Sequence, residues 1–353
     1  MAKLDEVISM ALTRKAVLAA FNDESEEQVP FSVWHHFNPN AHTVAKLDPT
    51  IFKNDVEKEH AYVKAVDSDF VKLMDDGYFT YDLQGVSDPN DPESLSKIEP
   101  ISSDNEWLQE QYQLVTDQIA GIDSDRLVFT NVFSAVTVLK WELALTRPGK
   151  DTSVANQVFA DLYTKHPEVV TNALKVINQD IIKQIKVGKQ AGVDGVFFST
   201  QEIQDDRIDQ QFFNDVQKQL DLELIDVINA NFEFGILHVC GHNGAENHLP
   251  WFTDYDLPVV NWATDIDGYS LSAGKELFHN KVVLGGLGST AKDVLYSGSQ
   301  EQIQAKVDQL IADAGTTGVI IGADCTLPAD TPEDHIRWAS EAAHSYLKRQ
   351  GVK

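Results

Sequence analysis

Only two cysteines occur in the chain, and one of them, Cys240, follows His238 by two residues in LHVCGHNGAENHLPWF (237–252). Two apart on a strand, the His238 and Cys240 side chains share a face. Thiolate and imidazole are preferred zinc ligands, so this spacing can grip one ion. The second cysteine, Cys325, ends another apolar run, GVIIGADC (318–325). It can bring a third ligand if the two runs end side by side. A fourth position would then fall to a substrate sulfur, to water, or to a carboxylate such as Asp265. Three protein ligands with one open position is the catalytic rather than the structural zinc arrangement. A free cysteine is equally a small buried hydrophobe, and a strand-end histidine is commonly a hydrogen-bonded structural residue. Metal and packing readings therefore both stand at this point. The spacing excludes a CxxC redox pair, and nothing marks an acylation apparatus around a Cys–His nucleophile.

Other chemistry-bearing residues also gather where apolar runs end. His35 and His36 close FSVWHHF (31–37), and adjacent strand positions face opposite sides, so at most one of the two enters a shared site. Lys72 lies in FVKLM (70–74) and is followed by Asp75 and Asp76. Asn131 lies in RLVFTNVF (126–133), Gln201 ends GVFFSTQ (195–201), and His242 follows FGILHVCG (234–241). VVNWAT (259–264) carries Asn261 and precedes Asp265; KVVLGGLG (281–288) completes the set. These polar residues would converge on one mouth if the runs are parallel strands. Trp34, Trp141, Trp251, Trp262 and Trp338 read as core and rim residues.

The eight runs alternate with helical segments such as SLSAGKELF, SQEQIQAKVDQLIADAG and TPEDHIRWASEAAHSYLKRQ. In the last, Thr331 can cap and Pro332 suits a first turn. Strands alternating with helices imply a parallel sheet with helical crossovers. Eight units predict an α/β fold, a single (β/α)8 TIM barrel, over an open doubly wound sheet of similar local pattern. Residues 1–30 read as an N-terminal helical extension (helix 4–21, charged connector 22–30), and 31–353 as the barrel. GGLGST (285–290) lacks the spacing and the Lys-Ser/Thr of a phosphate loop. The polar stretch 82–125 has the length of a functional lid or a disordered insertion, and 134–194 reads as packing helices.

Composition narrows the function classes. Fifty-five acidic against 28 basic residues give a formal charge of −27, a field that repels phosphate backbones and anionic lipid, so neither nucleic acid nor membrane is an expected partner. Asp5, Glu6, Arg14 and Lys15 interrupt the N-terminal apolar pattern that a secretory signal would need. No run approaches the ~18–20 apolar residues of a membrane span. Two cysteines make no disulfide framework, so a cytoplasmic location is expected.

The segments FVKLMDDGY, GVDGVFFSTQE, PVVNWATDIDG, VVLGGLGST and VIIGADCTLPADTPEDHIRWASEAA resemble the uroporphyrinogen decarboxylase superfamily, from about residue 10 onward and most specifically after 190. The resemblance implies a TIM barrel with its cleft at the C-terminal mouth, and it offers two chemistries. In the porphyrinogen decarboxylases an aspartate, here Asp75 or Asp76, holds the pyrrole nitrogens without a metal. Their arginine-rich segment after the first strand corresponds to VWHHFNPN, which has no arginine. In the zinc-dependent methyltransferases, which move methyl groups from corrinoids to thiols, a His-x-Cys and a distant Cys hold zinc. Here those positions are His238, Cys240 and Cys325. An acidic ligand often present after the sixth strand is replaced by Asn261, with Asp265 the nearest carboxylate. The resemblance thus implies zinc, a methylcobalamin or corrinoid donor on a separate protein, and a small-molecule thiol acceptor. His35 or His36, Lys72, Asn131, Gln201, His242 and Asn261 would line the cleft. Tetrapyrrole-acid decarboxylation and a non-catalytic tetrapyrrole or corrinoid binder are the alternatives, and a homodimer stays open.

Overall fold

The computed structural model describes residues 11–24 and 27–351. Strands buried on both faces read as continuous apolar runs, and all eight expected strands form: β1 Phe31–Ser32, β2 Phe70–Lys72, β3 Leu127–Phe133, β4 Gly195–Thr200, β5 Phe234–Val239, β6 Val259–Trp262, β7 Val282–Leu287 and β8 Val319–Ala323. Every pairing is parallel, in the order β1-β8-β7-β6-β5-β4-β3-β2. The seam between β1 and β2 closes without a ladder: the Asp69 amide donates to the Phe31 carbonyl at 3.0 Å. The Ser32 hydroxyl adds a bond to the Phe70 carbonyl at 2.8 Å. Helices ring this nearly closed (β/α)8 barrel.

The first strand is shorter than the expected 31–37. After Ser32 only an isolated bridge, His35 to Leu327, continues the pairing. The reason is Asp76, whose carboxylate takes the backbone amides of Phe37 and Asn38 at 2.9 and 3.0 Å and draws the chain out of the sheet. β6 likewise stops early, because Thr264 begins a helical turn, Thr264–Asp267, anchored by Asp324.

The expected helix 4–21 is seen as α1, Arg14–Phe21, capped by Thr13; residues 1–10 lie outside the described residues. α1 is part of the core. Phe21 packs against Phe70, Phe129 and Phe234 at ring distances of 5.6, 5.5 and 5.7 Å. Phe70 and Phe234 begin β2 and β5, so the ring seals the barrel's N-terminal end. An ion pair from Arg14 to Asp194 fixes the helix there.

The segment 82–125 contains helices Pro92–Leu95 and Glu106–Ala120 and packs against the helix Pro167–Ala191. Asp180 of that helix accepts from the Tyr81 hydroxyl at 2.9 Å and the Ile101 amide at 3.1 Å. No described residue of 82–125 lines the cleft at the C-terminal mouth, so the segment does not act as its lid in this structure. Among the described residues no helix is long and apolar enough to cross a membrane.

Candidate metal centre and cleft

His238 is on β5, Cys240 one residue past its end, and Cys325 just past β8. The barrel brings them together. Cys240 Sγ lies 3.8 Å from Cys325 Sγ, which lies 3.8 Å from His238 Nε2, and all three donor atoms fall within 4.8 Å of one another. Two sulfurs each ~2.3 Å from a tetrahedral zinc are separated by an edge of ~3.8 Å. A disulfide would need ~2.05 Å. Both cysteines are free. The Cys240 pKa is pushed up by its bond to Cys325 and by burial, whereas the Cys325 pKa is pulled down, chiefly by that bond.

A metal ligand histidine needs a bare nitrogen, and the neighbouring strand supplies it. Asn261 of β6 donates its amide nitrogen to the carbonyls of Leu284 at 2.8 Å and Ala323 at 3.0 Å. Its oxygen is thereby turned to His238 Nδ1, 2.5 Å away. Nδ1 must donate, so Nε2 keeps its lone pair toward the sulfurs. Asn261 is fully buried and orients the histidine rather than meeting substrate. The glycines of β7 make the room: Gly285, at φ +142°, could not carry a Cβ without crowding Asp324 Oδ1 and Asn261 Nδ2 at 3.0 and 3.3 Å. The GGLG run therefore serves close packing.

Asp324 ties the tops of three strands together ahead of Cys325. It accepts from the Thr264 amide at 3.0 Å, the Thr264 hydroxyl at 2.6 Å and the Gly286 amide at 2.6 Å. Burial still pushes its pKa up to about 7. Gln201 plays a similar part for Cys240, donating to the carbonyls of Cys240 at 2.9 Å and His242 at 3.1 Å. Its own oxygen accepts from Lys140, a buried ammonium on the helix Ala135–Leu145 that also reaches Asn156 at 3.1 Å. Burial lowers the Lys140 pKa to about 8. Gln201, expected in the cleft, is thus a brace behind it.

The cleft holds about 400 Å³ of empty space with its mouth included and is lined by His36, His42, Lys72, Met74, Phe79, Asn131, Phe133, Trp141, Ser199, His238, Cys240, His242, Cys325 and Thr326. Lys72 is buried with its ammonium 4.6 Å from the Phe197 ring and 5.3 Å from that of Trp34. Burial lowers its pKa, against the attraction of Asp75 and the two cysteines.

Of the paired histidines, His36 faces the cleft. His35 turns away, bonding the His36 carbonyl at 2.7 Å and packing on Tyr62; burial lowers its pKa. His36 Nδ1 meets Asp76 Oδ1 at 2.6 Å. Burial opposes the Asp76 carboxylate, but the His36 bond and the Phe37 and Asn38 amides outweigh it and hold the pKa below the usual range. Asp75 lies behind the cleft, bonded to Asn131 at 2.9 Å, with a second oxygen buried and without a hydrogen-bond partner; burial pushes it up to about 7. Asp265 is exposed and lies outside the group of potential donors, which among the described residues is His238, Cys240 and Cys325.

Several cleft residues escaped the sequence reading. His42 lies on the loop after β1, with no strand periodicity to place it; burial drives its pKa down to about 3. Its ring stands 5.5 Å from His242, whose pKa burial also lowers, and 4.9 Å from Trp141. Trp141, expected as a core or rim residue, lines the cleft from one of the helices read as packing, and Lys140 of the same helix stands behind it. Phe79 and Phe133 complete an aromatic wall with Trp141.

Fold and site together define an eight-stranded parallel barrel whose cleft at the C-terminal mouth gathers two thiols and an imidazole that could hold a metal ion. The chain matches the uroporphyrinogen decarboxylase (URO-D) family model over residues 84–346 and belongs to that family. Among solved structures it is similar to a methyltransferase from Methanosarcina mazei, at 15% identity and TM-score 0.67, over 94% of this chain and 98% of that one. It is also similar to a B12-independent methionine synthase from Shewanella sp. W3-18-1, at 11% identity and TM-score 0.52, over 92% and 99% of the two chains. No curated protein sequence matches the chain.

Proposed function

We propose that the chain is a zinc-dependent enzyme that transfers a methyl group from a corrinoid or related donor to a small thiol. The observation that carries this reading is the His238–Cys240–Cys325 triangle, in which Asn261 leaves Nε2 bare toward two sulfurs spaced as zinc ligands are. Zinc, when bound, would deprotonate a coordinating thiol at a pH where free thiols of pKa ~8.5 are mostly protonated. Around it the chain's own residues do the rest. Phe79, Phe133 and Trp141 keep water from the reacting sulfur, and Asn131, Ser199 and Lys72 offer polar contacts to the acceptor. The two structural neighbours carry methyl-transfer names on the same fold, which supports the reading.

The family's name points instead to a tetrapyrrole acid and the pyrrole-binding role of Asp75. The cleft lining opposes this, with no arginine and a single lysine to meet a substrate rich in carboxylates. The donor corrinoid would arrive on a separate protein, and the two free thiols suit a reducing cytoplasm. The test is incubation of the zinc-loaded protein with methylcobalamin and 2-mercaptoethanol. Loss of the methyl–cobalt absorption with formation of the methyl thioether, abolished in Cys240→Ser, is expected. Corrinoid bound without turnover would favour a carrier, and metal-independent release of carbon dioxide from a porphyrinogen would favour the decarboxylase.

A further inference from the structure

A thiol that enters the cleft neutral and reacts as a thiolate has to leave its proton somewhere, in a pocket walled by aromatic rings. Most groups around it are unsuited. Lys140 is a buried amine held by Gln201 and Asn156 behind the cleft, and Lys72, which lines the cleft, keeps its buried ammonium against the Phe197 and Trp34 rings. His42 is too weak a base for neutral solution. His238 has Nδ1 committed to Asn261 and Nε2 among the metal donors. Asp75 does not line the cleft.

His36 differs in three ways. Its Nδ1 is taken by Asp76 at 2.6 Å, which leaves the Nε2 lone pair as its free basic site. Asp76 is fully buried and locked by the amides of Phe37 and Asn38 and by the Asn38 side chain at 3.3 Å. The ring itself is 28% exposed and lines the same cleft as Cys240 and Cys325. A buried carboxylate that fixes the tautomer of an imidazole open to a substrate site, and that stabilises the imidazolium, is the arrangement of a general base. The groups facing it are few. His42 and Phe79 pack against the ring at 6.3 and 5.8 Å. From α2, Thr50–Val66, Lys58 holds the Phe37 carbonyl at 2.8 Å, and Asp55 meets Asn38 at 2.6 Å behind Asp76.

Resting on the thiol reading above, we infer that His36, backed by Asp76, is the base that takes the acceptor thiol's proton. The S–H bond breaks and its electron pair stays on sulfur. The proton forms an N–H bond at Nε2, directly or across one water, and Asp76 neutralises the imidazolium. The methyl thioether product needs no proton, so His36 releases it to solvent through its exposed edge at the cleft mouth. His36 is then free for the next acceptor.

The test counts protons rather than turnover. 2-Mercaptoethanol is titrated calorimetrically into the zinc-loaded protein near neutral pH in two buffers of different ionisation enthalpy. Wild type is expected to pass well under one proton to the buffer, because His36 keeps it. His36→Gln, with zinc content unchanged, is expected to release about one, as a thiol of pKa ~8.5 must when it binds deprotonated. Equal release from both proteins at equal zinc content would overturn the assignment while leaving the metal reading intact. Failure of wild type to hold zinc would overturn both. Should His36→Gln not fold, the His36 ring resonance of wild type is followed as thiol is added: movement to the imidazolium position supports the role, and no movement refutes it.

Discussion

At the residue scale, what distinguishes His238 from an ordinary buried histidine is the amide beneath it. Asn261 cannot flip, because its nitrogen already serves two carbonyls, so the tautomer of His238 is set by the backbone of β7 and β8. An alanine at 261 keeps the strand but frees the ring. Outer partners of metal-binding histidines are worth ~10–100-fold in affinity, and a loss of that size is expected for Asn261→Ala in competition with a chromogenic chelator. Unchanged affinity would mean that Asn261 does no more than fill space. Residue types at strand ends made much of this legible: His238, Cys240 and Cys325 could be paired from sequence because parallel strands deliver their ends to one mouth. What sequence could not supply was direction. Asn261 and Gln201 look like cleft residues because they end strands, yet both face away and brace ligands. Asp265 looks like a ligand because it is an acid nearby, yet it sits on the exposed side of a helical turn.

At the element scale, all eight strands were legible because burial on both faces leaves an unbroken apolar run, and their order follows from the crossover rule. The ends were less so. β1 and β6 finish early because side chains, Asp76 and Asp324, take backbone groups that a ladder would otherwise use. That competition is between residues 30 to 60 positions apart, and local periodicity carries no trace of it. The same holds for α1, whose amphipathic pattern announces a helix but not that Phe21 plugs the barrel. Lys140 and Trp141 sit in a run of buried residues, Ala135–Leu145, where one lysine among apolar neighbours was the available sign that the helix does more than pack. His42 had no sign at all. It reaches the cleft because the loop after β1 folds back beside Phe79 and Trp141.

At the scale of the whole molecule, the chain carries a formal charge of −27 and still buries carboxyl groups. Burial pushes Asp75, Asp221 and Asp324 up from 3.8 to about 7, and Glu59 from 4.5 to about 8. These groups keep protons in the folded chain that the unfolded chain has already lost. Stability therefore falls as pH rises from about 4, where the unfolded carboxyls ionise, through about 8, where the folded ones do. Below about 6.5 the buried neutral histidines His35, His42 and His242, all lowered from 6.5, protonate more readily when unfolded and flatten that slope, but the four carboxyls outweigh them and the slope keeps its sign. The metal-free protein is expected to melt at a higher temperature at about pH 5.5 than at about pH 8, and a melting temperature that climbs steadily to pH 8 would contradict this.

The candidate metal site is where fold and chemistry meet, since two thiols and one oriented imidazole converge at the barrel mouth. Its occupancy is the measurement that decides the account. Protein purified under reducing conditions without chelator, exposed to zinc and desalted, is analysed for metal beside Cys240→Ser and Cys325→Ser. About one tightly held zinc per wild-type chain, lost in both variants while their folded signal persists, is the predicted result. Wild type that retains no zinc, or variants that retain as much as wild type, would contradict it.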